Sequence, residues 1–275
     1  MSTQVAKKKE TAVATNDLMD AMFEEEGAGV DFDVNEMEIP FVRLAHPMSG
    51  AMQKSKPEFI KELRAGEIYN TITKQIWDPE KGITVVPVHQ ETIYAFKTDG
   101  GGYERYTLTD AKLQPLLKRV KRDGAKEWVM DSSGNVEGEL VKSDNFYCVI
   151  IDEDGTTQKA VIDFRSTGLK VSRRWKTQIA MQKLPDSQGN MRTPPLFGIM
   201  WNFTGIDESN DRGSWSSWSI SKIGQVDRAD VFAEAKKFRD MVLKGEAKAQ
   251  REEEPTGSDI PQGTTNIDHE DDIPF

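Results

Sequence analysis

From Ile39 onward the chain alternates apolar and polar positions mainly with the period of two that half-buried strands require, and shows a helical period in three stretches. Residues 67–73 and 82–96 are rich in β-branched and aromatic side chains, bounded by Gly66, Pro79 and Gly82, and predict strands. Pro87 within the second run predicts an edge position or a bulge, because proline cannot donate to a ladder. Gly100, Gly101 and Gly102 then mark a flexible turn. Residues 126–130 read as a strand running into a turn at 131–134. Residues 145–152 and 156–164 predict a hairpin that turns at Glu153, Asp154 and Gly155. Two further strands, 196–206 and 214–223, flank a loop at 207–213.

The first helical stretch, 109–122, places Leu113, Leu116, Leu117 and Val120 on one face and Lys118, Arg119, Lys121 and Arg122 on the other, with Pro115 near its first turn. The second starts at a cap supplied by Ser166 or Thr167 and runs to about residue 184, where Pro185 stops it. Val171, Trp175 and Ile179 form its buried stripe, and Lys170, Arg173 and Arg174 lie on a solvated face. The third, 227–248, buries Val231, Ala235, Phe238 and Val242.

From Gly82 the order is strand, long insertion, strand–turn–strand, helix, strand, loop, strand. It predicts a mainly β protein with helices (α+β), an elaborated five-stranded oligonucleotide/oligosaccharide-binding (OB) barrel. Segment 98–144 is then an insertion between strands one and two, and 207–213 joins strands four and five. Those two connections are the ones such barrels use to hold nucleic-acid strands.

Charge refines this. The formal charge is −10, but residues 1–38 carry 10 acidic and 3 basic side chains and residues 246–275 carry 9 and 2, leaving 27 and 31 in the centre. A mildly basic body between two acidic ends is compatible with a nucleic-acid partner, since local fields attract phosphate. The ends read as a disordered arm over 1–38, with a short helix at 17–23, and a disordered tail over 246–275. Residues 39–245 are the folded core. The apolar runs at 83–88 and 146–151 are too short to span a bilayer, and the lysines near the N-terminus lead into no apolar stretch. Cys148 stands alone and His46, His89 and His269 are scattered, so no disulfide, metal site or cofactor is implied. The expectation is a soluble cytoplasmic protein.

Holding a single strand takes cations to track phosphates and aromatic faces to stack bases. Tyr94, Phe96, Tyr103 and Tyr106 lie among Lys97 and Arg105 around the glycine turn, and Trp215 and Trp218 follow Arg212. Tyr103 and Tyr106 are the better stacking candidates, because a glycine-rich loop offers little core to bury them. Lys118, Arg119, Lys121 and Arg122, and after them Lys170, Arg173 and Arg174, are candidate phosphate contacts. Trp201 and Phe203 read as core. Catalysis is less well supported. No phosphate-binding Gly-x-x-x-x-Gly-Lys-Ser/Thr loop exists. Asp152, Asp154 and Asp163 invite comparison with a two-metal nuclease, but the hairpin turn explains the first two.

The chain ends Asp271, Asp272, Ile273, Pro274, Phe275. An acidic run before an apolar dipeptide suits a detachable peptide ligand, with the ring of Phe275 in a pocket and its carboxylate on a cation. This ending resembles the tip of bacterial single-stranded DNA-binding proteins. The body is similar to a group of bacteriophage single-stranded DNA-binding proteins with an OB fold. That likeness rests on Ser166-Thr167-Gly168-Leu169-Lys170, Ser172-Arg173-Arg174-Trp175 and Asn210-Asp211-Arg212-Gly213 with Trp215 and Trp218. The resemblance implies non-catalytic coating of single-stranded DNA without sequence specificity. It also implies a tip that recruits replication, recombination or repair proteins of phage or host. The alternative is a DNA-processing enzyme or strand-annealing recombination mediator carrying the same tip; a third reading is an adaptor that binds proteins alone.

Overall fold

The computed structural model describes residues 38–98, 101–124, 126–210 and 213–249. Its strands and helices follow in the order β1 (Glu38–Ile39), β2 (Val42–Leu44), β3 (Ile68–Asn70), β4 (Ile76–Trp77), β5 (Ile83–Thr98), β6 (Tyr103–Thr107), α1 (Leu113–Leu117), β7 (Val120–Asp123), β8 (Lys126–Met130), β9 (Val136–Ile151) and β10 (Thr157–Arg165). Then come α2 (Gly168–Ala180), β11 (Leu184–Pro185), β12 (Met191–Arg192), β13 (Ile199–Asn210), β14 (Gly213–Gln225), α3 (Ala229–Lys244) and β15 (Lys248–Ala249). The arm at 1–37, with the helix expected at 17–23, lies outside the described residues, as do Gly100, Arg212 and the tail from residue 250 with its tip.

Two long antiparallel strands, β5 and β9, organise the chain. Their lower halves form the middle of a curled half-barrel in the order β14–β13–β5–β9–β10. Their upper halves continue into an arm in the order β6–β5–β9–β8–β7. The fold is mainly β with few helices, and every pairing in this sheet is antiparallel.

The lower half is covered on both faces, which explains the nearly continuous apolar runs of its strands. Inward, Ile83 and Val85 join Phe146, Cys148, Ile150, Ile162 and Phe164 around Trp175 of α2, Trp201 and Phe203. The Trp175 ring lies 4.3 Å from Phe146 and 4.9 Å from Phe203. Both buried indole N–H groups lack an acceptor among the described residues, a cost of about 1–3 kcal/mol each that close ring packing offsets. Outward, Val86, Val88, Tyr147, Val149 and Val161 lie under Val231, Ala235 and Phe238 of α3. That helix stops at Gly245, whose φ of 75° suits glycine.

β10 and β14, the margins of the half-barrel, do not pair with each other among the described residues. β2 lies along the β10 margin. Phe41 bridges Val161 in parallel, the Val161 N–H donates to Pro40 O at 2.8 Å, and fully buried Val42 enters the inner core. Arg43 reaches Asp163 at 2.9 Å.

Pro87 marks a bulge, where the β5–β9 register shifts between Pro87 and His89. A bulge adds one residue to one strand, so side-chain parity inverts across it. Below it the odd positions Ile83 and Val85 face inward; above it the even positions Tyr94 and Phe96 do. In the arm they pack with Tyr106, Leu113, Leu116, Val129 and Leu140, and α1 covers that face. The helix expected over 109–122 ends at Leu117, and Val120–Asp123 form a strand paired with β8. Other expectations also shift. Residues 136–144 of the expected insertion belong to β9, and most of the loop expected at 207–213 is strand, because β13 runs to Asn210 and β14 starts at Gly213. Ser166 has φ 47°, and neither its hydroxyl nor that of Thr167 caps α2. Residues 184–192 form a small hairpin, β11–β12. The last helix ends at Lys244. No helix among the described residues is long and apolar enough to cross a membrane.

Candidate nucleic-acid interface

Above the bulge, the outer face of the sheet carries the other parity. Strand register places Tyr103 opposite Lys97, Lys97 opposite Glu139, Glu139 opposite Trp128 and Trp128 opposite Lys121. Residues directly opposite in a ladder share a face, so these five side chains form one row across β6, β5, β9, β8 and β7. With strands about 4.8 Å apart, the row is ~19 Å wide and its two aromatics stand ~14 Å apart. Arg105 and Lys126, two residues along their strands from Tyr103 and Trp128, flank the row on the same face. Ala95 and Val141 form the low floor beside it.

The row is accessible. Lys97, Arg105, Lys121 and Lys126 are exposed, and Tyr103, Trp128 and Glu139 are half-buried. Each aromatic has a cation over its ring: the Arg105 guanidinium lies 5.4 Å from the Tyr103 centroid and the Lys126 ammonium 5.0 Å from that of Trp128. Arg105 Nε also donates to the Tyr103 hydroxyl at 3.3 Å. Lys97, Lys121 and Glu139 have no side-chain hydrogen bond or ion pair among the described residues. Two other arm cations are paired, Arg122 with Glu127 at 3.0 Å and Arg119 with Glu137. Lower on the face, the Tyr147 hydroxyl donates to Glu91 at 2.7 Å; burial, then the Glu91 charge and this bond, push its pKa far up.

Of the residues singled out in the sequence, the structure brings Lys97, Tyr103 and Lys121 into this row, with Arg105 flanking it. Tyr94, Phe96 and Tyr106 point the other way and are buried, between 5% and 8% exposed. A glycine-flanked loop had suggested an open Tyr106. Instead β6 pairs with β5, and α1 supplies the core that buries the ring. The Tyr106 hydroxyl donates to Glu104, and chiefly that bond pushes its pKa up to about 12. Burial pushes the Tyr94 phenol up as well. Lys118, which follows α1, and Lys170, Arg173 and Arg174 of α2 are exposed, but both helices pack on the inner side. Trp218 is inner core. Trp215 is half-buried, with its N–H on Glu208 at 3.1 Å, past the start of β5 at the far end of the sheet from the arm. Arg212 and Asp271–Phe275 lie outside the described residues.

The aspartates weighed as a metal site have structural partners. Asp152 accepts from Gln75, Trp77 and Gln158 at 2.8–3.0 Å, Asp154 closes its turn on Thr156, and Asp163 is held by Arg43 and Arg165. Among the described residues no group of three or more His, Cys, Asp or Glu side chains could hold a metal ion.

Sequence reasoning missed Trp128, Lys126 and Glu139 as site residues. Residues 126–130 read correctly as a strand, and the i, i+2 spacing of Lys126 and Trp128 was the available signal. Their partners across the sheet were not.

Compared with known proteins, the family model described as Pam3 phage gp34-like protein matches residues 7–248. No curated protein and no solved structure matches the chain.

Proposed function

The chain belongs to the Pam3 phage gp34-like protein family, and for this phage protein we propose binding of single-stranded DNA along the outer face of the arm. The observation that carries the reading is the row of Tyr103, Lys97, Glu139, Trp128 and Lys121, in which each accessible aromatic has beside it a lysine held in no ion pair among the described residues. Stacking on the rings and attraction at the rims is the combination that unpaired strands need and that a duplex, with its bases already stacked, cannot exploit. The connectivity of β5, β9, β10, α2, β13 and β14 supports an OB-type barrel. In that reading β2 packs where the third and fifth strands would meet. Because α3 covers the lower outer face, the strand is confined to the arm. The tip Asp271–Phe275 recruits replication, recombination or repair proteins.

The test is binding of oligo(dT) against duplex of equal length across a salt series. The expected result is tight binding of the single strand, a weak duplex response, and log affinity falling with log salt by about 0.7 per phosphate neutralised. Absence of any binding at low salt refutes the reading.

A further inference from the structure

The centre of the row is a carboxylate. Glu139 stands between Lys97 and Trp128, half-buried, with no hydrogen-bond donor or cation on it among the described residues. The cations stand to either side of it: Lys97 directly opposite and Arg105 one strand further out on one side, Lys126 and then Lys121 on the other. A phosphate above Glu139 is repelled and one at either rim is attracted. A strand on this face therefore lies with its phosphates at the rims and its base edges toward Glu139, next to the Trp128 ring.

A carboxylate only accepts hydrogen bonds, so it distinguishes bases by the donors they present. Guanine offers N1–H and N2–H side by side, matching both carboxylate oxygens. Cytosine and adenine offer one amino group each. Thymine offers a single imide N–H between two carbonyl oxygens that repel the carboxylate. We infer that Glu139 is a specificity-determining residue that makes the arm face prefer guanine, then cytosine and adenine, over thymine. This rests on the reading of the face as a single-strand site. It replaces the expectation of binding without sequence specificity with one of graded base preference.

The experiment uses the full chain and labelled 12-mers of thymine in which every third base is left as thymine or replaced by guanine, hypoxanthine, cytosine or adenine. Hypoxanthine lacks only the N2 amino group, so comparing it with guanine removes differences in purine stacking. Wild type should bind the guanine strand about fivefold or more tighter than all-thymine, with hypoxanthine, cytosine and adenine between. Glu139→Gln loses the paired acceptors and a negative charge. The five affinities should then fall within about twofold of one another, while that for all-thymine rises. A merely structural Glu139 would give the opposite sign, a uniform loss. Equal binding of guanine and thymine strands by wild type, or a preference that survives in Glu139→Gln, overturns the inference and leaves the single-strand site standing. No binding by any strand overturns the site itself, and the inference with it.

Discussion

Trp128→Ala separates the roles of the two faces of the arm. The ring is half-buried on the outer face and lies outside the arm core, whose member in this strand is Val129, fully buried. Its local partner is Lys126 at 5.0 Å, an exposed cation–π contact worth about 0.5–1 kcal/mol. Removing the indole should therefore cost about 1 kcal/mol of stability, a Tm shift of ~2–4 °C for a chain of this size. A stacked base contributes ~1–3 kcal/mol, so oligo(dT) affinity should fall about 5- to 150-fold, with the lower half of that range favoured by a ring that offers one face. Tyr106→Ala makes the contrast. That ring is 8% exposed within the arm core, and truncating a buried aromatic costs about 3–5 kcal/mol. The assay pairs thermal melts with fluorescence anisotropy of labelled oligo(dT), because intrinsic quenching would lose its reporter. Of the six tryptophans, Trp175, Trp201 and Trp218 are buried, and half-buried Trp77 and Trp215 lie in β4 and β14, off the arm face, so wild-type quenching should come mainly from Trp128. If Trp128→Ala binds within twofold of wild type, or melts as low as Tyr106→Ala, the division into a working outer face and a structural inner face is wrong.

Lys97→Gln and Lys121→Gln should each lower the salt slope of binding by about 0.7, whereas Arg122→Gln, whose charge Glu127 already neutralises, should change it less; equal slopes for all three would contradict the row. A Cβ at Gly138 would stand 2.2 Å from the Lys97 carbonyl oxygen and 2.8 Å from the Phe96 ring, so Gly138→Ala should loosen the arm, seen as faster amide exchange in β8 and weaker binding with the lower core intact. Burial, the largest influence on Asp144, raises its pKa, but hydrogen bonds from Lys176, Ser172 and Thr92 outweigh it and hold the carboxyl below its ordinary value. Its contribution is thus present above the unfolded pKa and lost as pH falls through the folded one. Asp144→Asn should lose stability at neutral pH and show a flatter acid limb in denaturant titrations. Deleting residues 268–275 should raise oligo(dT) affinity or leave it unchanged, and a large loss would show that the tail contributes to binding instead of competing for the cations.

The legible elements were those whose signal is local. The hairpin at Glu153–Gly155 carries its own turn chemistry, α2 carries Val171, Trp175 and Ile179 at helical spacing, and α3 carries Val231, Ala235 and Phe238 in the same way. The basic stretch after Leu117 was misread because Lys118, Arg119, Lys121 and Arg122 satisfy a helical face as well as a strand, and only pairing of Val120 with Val129 decides between them. The candidate site was half legible. Lys97, Tyr103 and Arg105 are neighbours in sequence, while Trp128 and Glu139 reach them only through pairing across β5, β8 and β9.

By itself, then, the sequence determined the class of the protein: a mainly β body, its helices, the long insertion between two of its strands, and a basic centre between acidic ends. Period, turn residues and charge are properties of short windows, so they need no partner to be read. The tertiary structure decided which side of each strand is the working side. The bulge at Pro87–His89 inverts the parity of β5, and α1 then buries Tyr94, Phe96 and Tyr106 while Lys97 and Tyr103 turn outward. An alternating pattern names two faces equally well, and only the element that packs against one of them leaves the other for a ligand.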